Sequence, residues 1–231
     1  MGDRAAKDAL FDAFAGVAKA IGNGRRAELL DLLVQAERSV EELADEIGQS
    51  VANTSHHLQY LLRWGLVRTR RDGNRVYYSL AGPRVAEMWA AVRAVAAEHV
   101  SEVDRLAVAY LGDRSRLATL TRDELLERLR AGDVVVLDVR PEPEFRAGHI
   151  PGAQSVPLSE LSSRLRDIPK GKQVVAYCRG PYCVFADEAV RLLRRRGRRA
   201  SRLEDGFPEW AAARLPTVAS PDERRTSARR A

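Results

Sequence analysis

The chain has 231 residues, of which 45% are hydrophobic and 30% are charged. This composition is typical of a globular protein with room for two domains, and it argues against wholesale disorder. The apolar runs are too short to span a membrane, and Asp3, Asp8 and Asp12 argue against a signal peptide. Two cysteines cannot build a secreted disulfide scaffold, so we expect a cytoplasmic protein with no membrane partner.

The net charge of +6 is unevenly distributed along the chain. Residues 1–115 hold 15 Lys and Arg against 16 Asp and Glu, whereas residues 116–217 hold 19 against 14. The basic excess therefore lies outside the first half of the chain. A prediction that this half binds nucleic acid must rest on local clusters of charge.

Residues 1–112 have the pattern of a mostly helical domain with one β-ribbon. Ser39 and Glu42 are spaced for a capping box at the start of a short helix, and a second helix is predicted over about 52–64. The runs 66–71 and 75–80 flank a turn and predict a hairpin. An apolar stripe at helical spacing then continues to residue 110 and predicts one long helix from residue 83. We interpret this helix and the N-terminal helix as a homodimer seam, with ordinary core packing as the alternative.

The helix at 52–64 has an outer face suited to reading bases. With Leu58 at the centre of the buried face, Asn53 and His56 lie opposite and Gln59 lies on the flank. Asn and Gln can pair with base edges in a major groove, and the preceding helix completes a helix-turn-helix. The following ribbon is rich in arginine, which suits phosphate contact. We therefore predict binding to double-stranded DNA, with a merely solvated hairpin as the alternative.

Residues 8–110 resemble an ArsR-family winged helix-turn-helix repressor, most specifically in the string NTSHHLQYLLRWGLVRTRRDGNRVYYSL. The resemblance implies a homodimer that binds a palindromic operator and releases it on a signal. By that likeness the base-reading positions are Asn53, Thr54, Ser55, His56 and Gln59, and the wing positions are Arg71, Asn74 and Arg75.

Many members of this family sense metals, but this chain lacks the matching ligands. Ser39 and Glu41 stand where the thiolate ligands would be, and His99 on the last helix has only weak neighbours. First-row metals need several nitrogen or sulfur ligands at fixed spacing. We expect no metal site in this half.

The second half has a different pattern, which begins after a predicted linker at 113–117. Apolar strands at 134–139 and 173–178 alternate with helices, including a short one at about 159–166 and a longer one at 184–196. This alternation predicts an α/β domain over 118–217 with a parallel sheet flanked by helices. Residues 218–231 are expected to form a disordered basic tail.

Both cysteines lie in the string CRGPYC, residues 178–183, between a strand and a helix. Ligands bind at the carboxyl ends of parallel strands, and the helix N-terminus there should lower the pKa of the Cys178 thiol. Arg179 adds a positive charge that would favour an anionic sulfur donor. The alternatives are a small buried residue, a zinc knuckle without further ligands, and a phosphatase loop, which would need arginine where Val184 stands.

Residues 118–216 resemble a rhodanese domain, a sulfurtransferase fold, in the strings VVVLDVRPEPEFRAGHIPGA, VVAYCRGPYC and LEDGFPEW. The resemblance implies that Cys178 carries sulfane sulfur, with Arg179 as its charge partner and no cofactor. It also implies a loop cradle of Gly180, Pro181, Tyr182 and Cys183 and a framework of Asp138, Arg140, Glu144 and His149. Cys183 is either a buried start to the helix or a resolving thiol that forms a disulfide with Cys178.

Together the two resemblances indicate a DNA-binding repressor whose rhodanese domain senses or transfers reactive sulfur from a donor such as thiosulfate or polysulfide. Two alternatives remain open at this point. The protein could be primarily a sulfurtransferase that regulates its own synthesis, or a repressor with an inert rhodanese domain.

Overall fold

A computed structural model of the chain describes residues 2–220. The chain divides into two compact units, the first ending at His99 and the second beginning at Val100. The predicted boundary was later, at 112–113, so the observed one falls inside the single helix that was expected from residue 83 to residue 110. That helix is interrupted: helices Pro83–His99 and Ser101–Leu111 are separated by Val100, whose backbone is not helical (φ −107°, ψ 93°).

The first unit is mostly helical, as predicted, and carries one small antiparallel sheet. Its elements are α1 (Arg4–Ile21), α2 (Gly24–Gln35), β1 (Arg38–Ser39), α3 (Val40–Glu46), α4 (Val51–Arg63), β2 (Val67–Asp72), β3 (Arg75–Leu80) and α5 (Pro83–His99). Strands β2 and β3 form the expected hairpin around Gly73 and Asn74, and β1 pairs with β3 on its other side. Leu29, Leu43 and Leu58 bring α2, α3 and α4 together in one core.

The start of the helix-turn-helix is fixed by local capping. The predicted capping box is present: Glu42 N–H donates to the Ser39 hydroxyl, and Ser39 N–H donates to the Glu42 carboxylate. Ser50 caps α4 by accepting from the N–H of Asn53. These bonds satisfy amide groups that a helix leaves unpaired at its first turn, so the two helices begin at defined residues.

The second unit is the predicted α/β domain. Its elements are α6 (Ser101–Leu111), β4 (Thr119–Leu120), α7 (Arg122–Ala131), β5 (Val134–Asp138), α8 (Glu142–Ala147), β6 (Gln154–Ser155), β7 (Gln173–Tyr177), α9 (Phe185–Arg195), β8 (Ala200–Leu203) and α10 (Phe207–Ala212). The sheet is parallel throughout, in the order β4-β8-β7-β5-β6. Its two faces are both covered, since Val135 and Leu137 of β5 pack in one cluster and Val134 and Val136 in another.

Two predictions about this unit are wrong in detail. The helix expected at about 159–166 is a series of turns, in which the Ser163 hydroxyl donates to the carbonyl of Glu160 and competes with helical bonding. The start of the expected disordered tail is ordered, because Val218 pairs with His149 and Ser220 N–H donates to the carbonyl of Arg146. Residues 221–231 of that tail lie outside the described residues.

Candidate functional site

The sulfur loop, residues 178–183, leaves the carboxyl end of β7, the middle strand of the parallel sheet. Cys178 is 2% exposed and belongs to the core, whereas Cys183 is partly buried beside it. The N–H of Cys183 donates to the carbonyl of Gly180 at 3.1 Å, which closes the loop into a turn. Both cysteines are therefore held at the position where parallel sheets bind ligands.

The two thiols are hydrogen-bonded to each other. Burial and the bond donated to Cys183 raise the pKa of the Cys178 thiol well above its ordinary value, although the N–H groups of Gly180 and Ala186 oppose this. The bond received from Cys178 lowers the pKa of Cys183, supported by N–H groups of Phe185 and Arg179. The expectation that Cys178 is the readily ionised thiol is therefore wrong for this state: Cys183 is the more acidic of the two, because Cys178 is desolvated.

Arg179 does not present a free charge to the cysteine. Its Nε and Nη2 lie 2.9 Å and 2.6 Å from Oε1 of Glu144, which is fully buried. The guanidinium also lies 5.1 Å from the centre of the Phe185 ring. The predicted partnership with an anionic donor is thus not what this structure contains, because the arginine charge is already matched by a carboxylate.

The remaining predicted framework residues are buried around the loop after β5. Arg140 Nη2 lies 2.6 Å from Asp138 Oδ2, and it also donates to the carbonyl of Gly148 at 2.7 Å. His149 stacks on Phe145 with ring centres 3.7 Å apart. These contacts hold the loop after β5 in place, which is a structural role consistent with a framework.

Arg114 belongs to this site, although no sequence pattern predicted it. It lies in the predicted linker, yet its guanidinium forms an ion pair with the fully buried Asp187 at the start of α9. It also donates from Nη1 to the carbonyl of Pro181 at 2.6 Å and from Nη2 to the carbonyl of Cys183 at 3.1 Å. Its partners are distant in sequence, so an isolated arginine in a short polar segment carries no local signal of them.

The basic run at 191–199 also binds this segment. Arg191 donates to the carbonyl of Asp113 at 3.1 Å, and Arg194 donates to the carbonyl of Arg116 at 2.7 Å. Segment 113–117 is therefore attached to α9 as well as to the sulfur loop, and it is not a free linker. Part of the dense positive charge of α9 serves to bind backbone carbonyls.

In the first unit, α4 presents most of the predicted reading positions. Asn53, His56 and Gln59 are exposed and Ser55 is partly exposed. Gln59 also donates to the Tyr78 hydroxyl at 3.4 Å, which orients it. Thr54 is the exception: it is 0% exposed and lies on the core side of the helix, so the prediction that it reads bases is wrong for this structure.

The wing carries its arginines in two different environments. Arg71, Asn74 and Arg75 are exposed on the hairpin, as a phosphate-binding surface requires. Arg70 instead pairs with Glu37 at 2.6 Å and with Asp72 at 3.2 Å. The wing charge available to DNA is therefore smaller than the count of arginines indicates.

The predicted dimer seam is apolar and uncovered in the isolated chain. On α1, Leu10, Phe11 and Phe14 are each more than half exposed, and Val92 and Val95 are exposed on α5. Apolar side chains clustered on one helix are unusual at a free surface and are typical of an interface.

Residues 2–220 contain neither a cluster of metal-binding side chains nor a helix that could span a membrane. No group of three or more His, Cys, Asp or Glu within them is placed to hold a metal ion. None of the helices in this range is both long and apolar enough to cross a membrane.

Comparison with known proteins agrees with this division into two kinds of unit. Residues 23–69 match the bacterial regulatory protein arsR family, and residues 121–213 match the rhodanese-like domain. The HTH-type transcriptional regulator Rv0324 of Mycobacterium tuberculosis is 49% identical over 210 residues, which is 91% of this chain and 92% of that protein. The uncharacterized protein YqhL of Bacillus subtilis is 34% identical over 102 residues, covering 44% of this chain and 78% of YqhL.

Among solved structures, the homodimeric winged helix-turn-helix domain (fragment 1–100) of Mb0332 from Mycobacterium bovis is 47% identical. It covers 44% of this chain and 93% of that fragment, with a TM-score of 0.41. The match to Rv0324 extends over both units and nearly the whole of each chain. This protein therefore belongs to the ArsR family of bacterial transcriptional regulators, with a rhodanese-like domain following its helix-turn-helix.

Proposed function

We propose that this regulator is a repressor that binds a palindromic DNA operator as a homodimer, and that Cys178 carries sulfane sulfur as its signal. The observation that carries the proposal is the placement of Cys178: a buried thiol at the carboxyl end of the middle strand, in a turn that precedes a helix. Such a position offers amide groups to an anionic sulfur.

Sulfur loading from thiosulfate is a simple displacement at this site. Cys183, whose pKa is lowered, ionises first, and its thiolate then takes the proton of Cys178 in an uphill transfer that leaves Cys178 as the thiolate and Cys183 as the neutral thiol. The Cys178 thiolate attacks the outer sulfur of thiosulfate, a new S–S bond forms, and the S–S bond of thiosulfate breaks as sulfite leaves with the electron pair. The product is an anionic persulfide, which the N–H groups of Gly180 and Ala186 stabilise.

Two fates of this persulfide are open to the chain. An external thiol can take the outer sulfur, which is the sulfurtransferase reaction. Alternatively, Cys183 passes its proton to the outer sulfur of the persulfide and attacks Sγ of Cys178 as the thiolate. The persulfide S–S bond then breaks, and hydrosulfide leaves while an intraloop disulfide forms. The turn that the Cys183 N–H closes on the Gly180 carbonyl supports Cys183 in this resolving role, because both thiols belong to one short loop.

The DNA-binding half of the proposal rests on the exposed groups of α4 and the wing. Asn53, His56 and Gln59 supply base-reading groups, whereas Arg71 and Arg75 supply phosphate contacts. Two copies joined through α1 and α5 would place two reading helices on the two halves of a palindrome.

An operator selected from random duplexes with the wild-type protein allows a direct test. Wild type, Cys178→Ser and Cys183→Ser are titrated with this duplex before and after treatment with polysulfide, and the sulfur adduct is located by mass spectrometry. We expect one added sulfur on Cys178 and an affinity change of about 5- to 150-fold in wild type. Cys178→Ser should show neither effect.

The alternatives predict different results from the same proteins. Rapid turnover of thiosulfate to a thiol acceptor, with operator affinity unaffected by sulfur, would favour a sulfurtransferase that binds DNA only for its own regulation. If Cys178→Ser matches wild type in every assay, the rhodanese domain is inert and the proposal is wrong.

A further inference from the structure

Arg114 and Cys178 are joined through one atom, the carbonyl oxygen of Cys183. This oxygen accepts a hydrogen bond from Arg114 Nη2 at 3.1 Å and from the Cys178 thiol at 3.7 Å. Arg114 also holds the Pro181 carbonyl at 2.6 Å, so a single side chain fixes two of the six residues of the sulfur loop. The hydrogen bonds from Arg114 and from Cys178 therefore both depend on the orientation of the peptide group that carries the Cys183 carbonyl.

The position of Arg114 is itself fixed by a buried carboxylate. Its guanidinium pairs with Asp187, which is fully buried and also lies 3.1 Å from Arg202. The Arg114 side chain is 21% exposed, and the planar guanidinium can bind a carboxylate and two carbonyls at once. The loop is thus held between α9 and the segment 113–117.

We propose that Arg114 is a positioning residue for the sulfur loop, and that sulfur loading of Cys178 weakens its hold. The first part stands on the contacts alone, whereas the second rests on the proposed function. The single proton of the neutral Cys178 thiol is shared among the Cys183 carbonyl at 3.7 Å, the Gly180 carbonyl at 3.8 Å and the Cys183 sulfur. An anionic persulfide has no proton to donate, and its charge repels the carbonyl lone pairs, so the peptide group turns away and Arg114 loses an acceptor.

The consequence reaches the segment that precedes the rhodanese-like domain. Segment 113–117 lies in the chain between the DNA-binding unit and the sulfur loop. Two hydrogen bonds fix its backbone. The N–H of Ser115 donates to the carboxylate of Asp113 at 2.8 Å, and the N–H of Leu117 donates to the carbonyl of Arg114 at 2.9 Å. When Arg114 loses its bond to the Cys183 carbonyl, these two amides should open more often. They are therefore the natural reporters of the sulfur state.

The positioning role is tested by thiol alkylation, which needs no sulfur donor. Arg114→Gln removes the charge, and Arg114→Lys keeps a cation for Asp187 but lacks the planar fork. Arg191→Gln is the matched control, because it loses a bond to the same segment at the Asp113 carbonyl without touching the loop. All variants are first checked for folding by circular dichroism.

We expect Cys178, which is buried in wild type, to be alkylated by iodoacetamide about fivefold faster or more in both Arg114 variants, since the loop opens locally. The pH profile of alkylation should change with it, whereas Arg191→Gln should match wild type. Equal rates and profiles in wild type, folded Arg114→Lys and Arg191→Gln would overturn the positioning role. Should Arg114→Gln fail to fold, Arg114→Lys alone decides.

The link to sulfur is tested by hydrogen exchange of wild type and Cys178→Ser before and after thiosulfate treatment. We expect the amides of Ser115 and Leu117 to exchange roughly tenfold faster in the loaded wild type and to be unchanged in Cys178→Ser. A persulfide seen by mass spectrometry without faster exchange would overturn the link. If no persulfide forms, the proposed function fails, and the alkylation experiment still decides the role of Arg114.

Discussion

Gly206 lies so close to Gly180 that no side chain fits between them. A Cβ atom on Gly206 would be 2.2 Å from the backbone nitrogen of Gly180 and 2.4 Å from its Cα. The next residue, Phe207, donates its N–H to the carbonyl of Cys178 at 3.0 Å. The turn before α10 is therefore in direct backbone contact with the sulfur loop at Cys178 and Gly180, whereas Arg114 contacts the same loop at Pro181 and Cys183.

Gly206→Ala should displace the sulfur loop, because both clashing partners are backbone and neither can rotate away. We expect a loss of about 1–3 kcal/mol in the free energy of unfolding, typical of overpacking, together with impaired sulfur loading of Cys178. Urea denaturation and mass spectrometry measure the two effects. Gly82→Ala is the control, since nothing lies within 4 Å of its Cβ position. Normal loading in Gly206→Ala would contradict this placement of the loop.

Local sequence rules predicted the parts of the fold that local chemistry decides. The capping box of Ser39 and Glu42 and the two-residue turn at Gly73 and Asn74 depend only on neighbours in the chain. The break at Val100 could not be predicted, because the apolar stripe continues across it at helical spacing and no Gly or Pro marks it. The two-residue strands β4 and β6 also lack a local signal, since they exist only through pairing with distant strands.

The candidate site also has a part that local patterns predicted and a part that they did not. The placement of Cys178 followed from strand and helix patterns on either side of it. The contacts of the charged residues around it could not be predicted, because their partners are distant in sequence. Glu144 is 35 residues from Arg179, and Cys183 is 69 residues from Arg114. The thiol pKa values were mispredicted for a related reason. A sequence shows the helix that follows a cysteine, but it does not show how completely the thiol is desolvated.

Cys178→Ala should make Cys183 less acidic. The hydrogen bond from the Cys178 thiol is the largest cause of the lowered Cys183 pKa, and the substitution removes it. Because only the thiolate is alkylated, the rise of the Cys183 alkylation rate should move to higher pH in Cys178→Ala than in Cys178→Ser, whose hydroxyl can still donate. A profile that moves to lower pH would show that the bond does not stabilise a Cys183 thiolate.

Thr54→Val should leave operator binding unchanged. The Thr54 side chain is fully buried, and its hydroxyl has no hydrogen-bond partner within residues 2–220. Replacing an unsatisfied buried hydroxyl by a methyl group should be neutral or should stabilise the fold by up to about 1–2 kcal/mol. Thermal unfolding and operator titration measure both effects. Asn53→Ala is the comparison, because loss of a base contact costs about 1–3 kcal/mol of discrimination. If Thr54→Val loses as much operator affinity as Asn53→Ala, Thr54 is a base-reading residue after all.

Arg71→Ala should weaken DNA binding through the phosphates rather than through the bases. Arg71 is exposed on the wing, so its loss should lower affinity for operator and random duplexes alike and reduce the salt dependence of log K by about one. Arg70→Ala is the matched control from the adjacent position, since Arg70 is engaged by Glu37 and Asp72. We expect it to keep the wild-type salt dependence. Equal losses of DNA affinity and of salt dependence in the two variants would mean that the ion pairs of Arg70 open on DNA. The wing would then bind phosphates with more positive charge than is unpaired in the free protein.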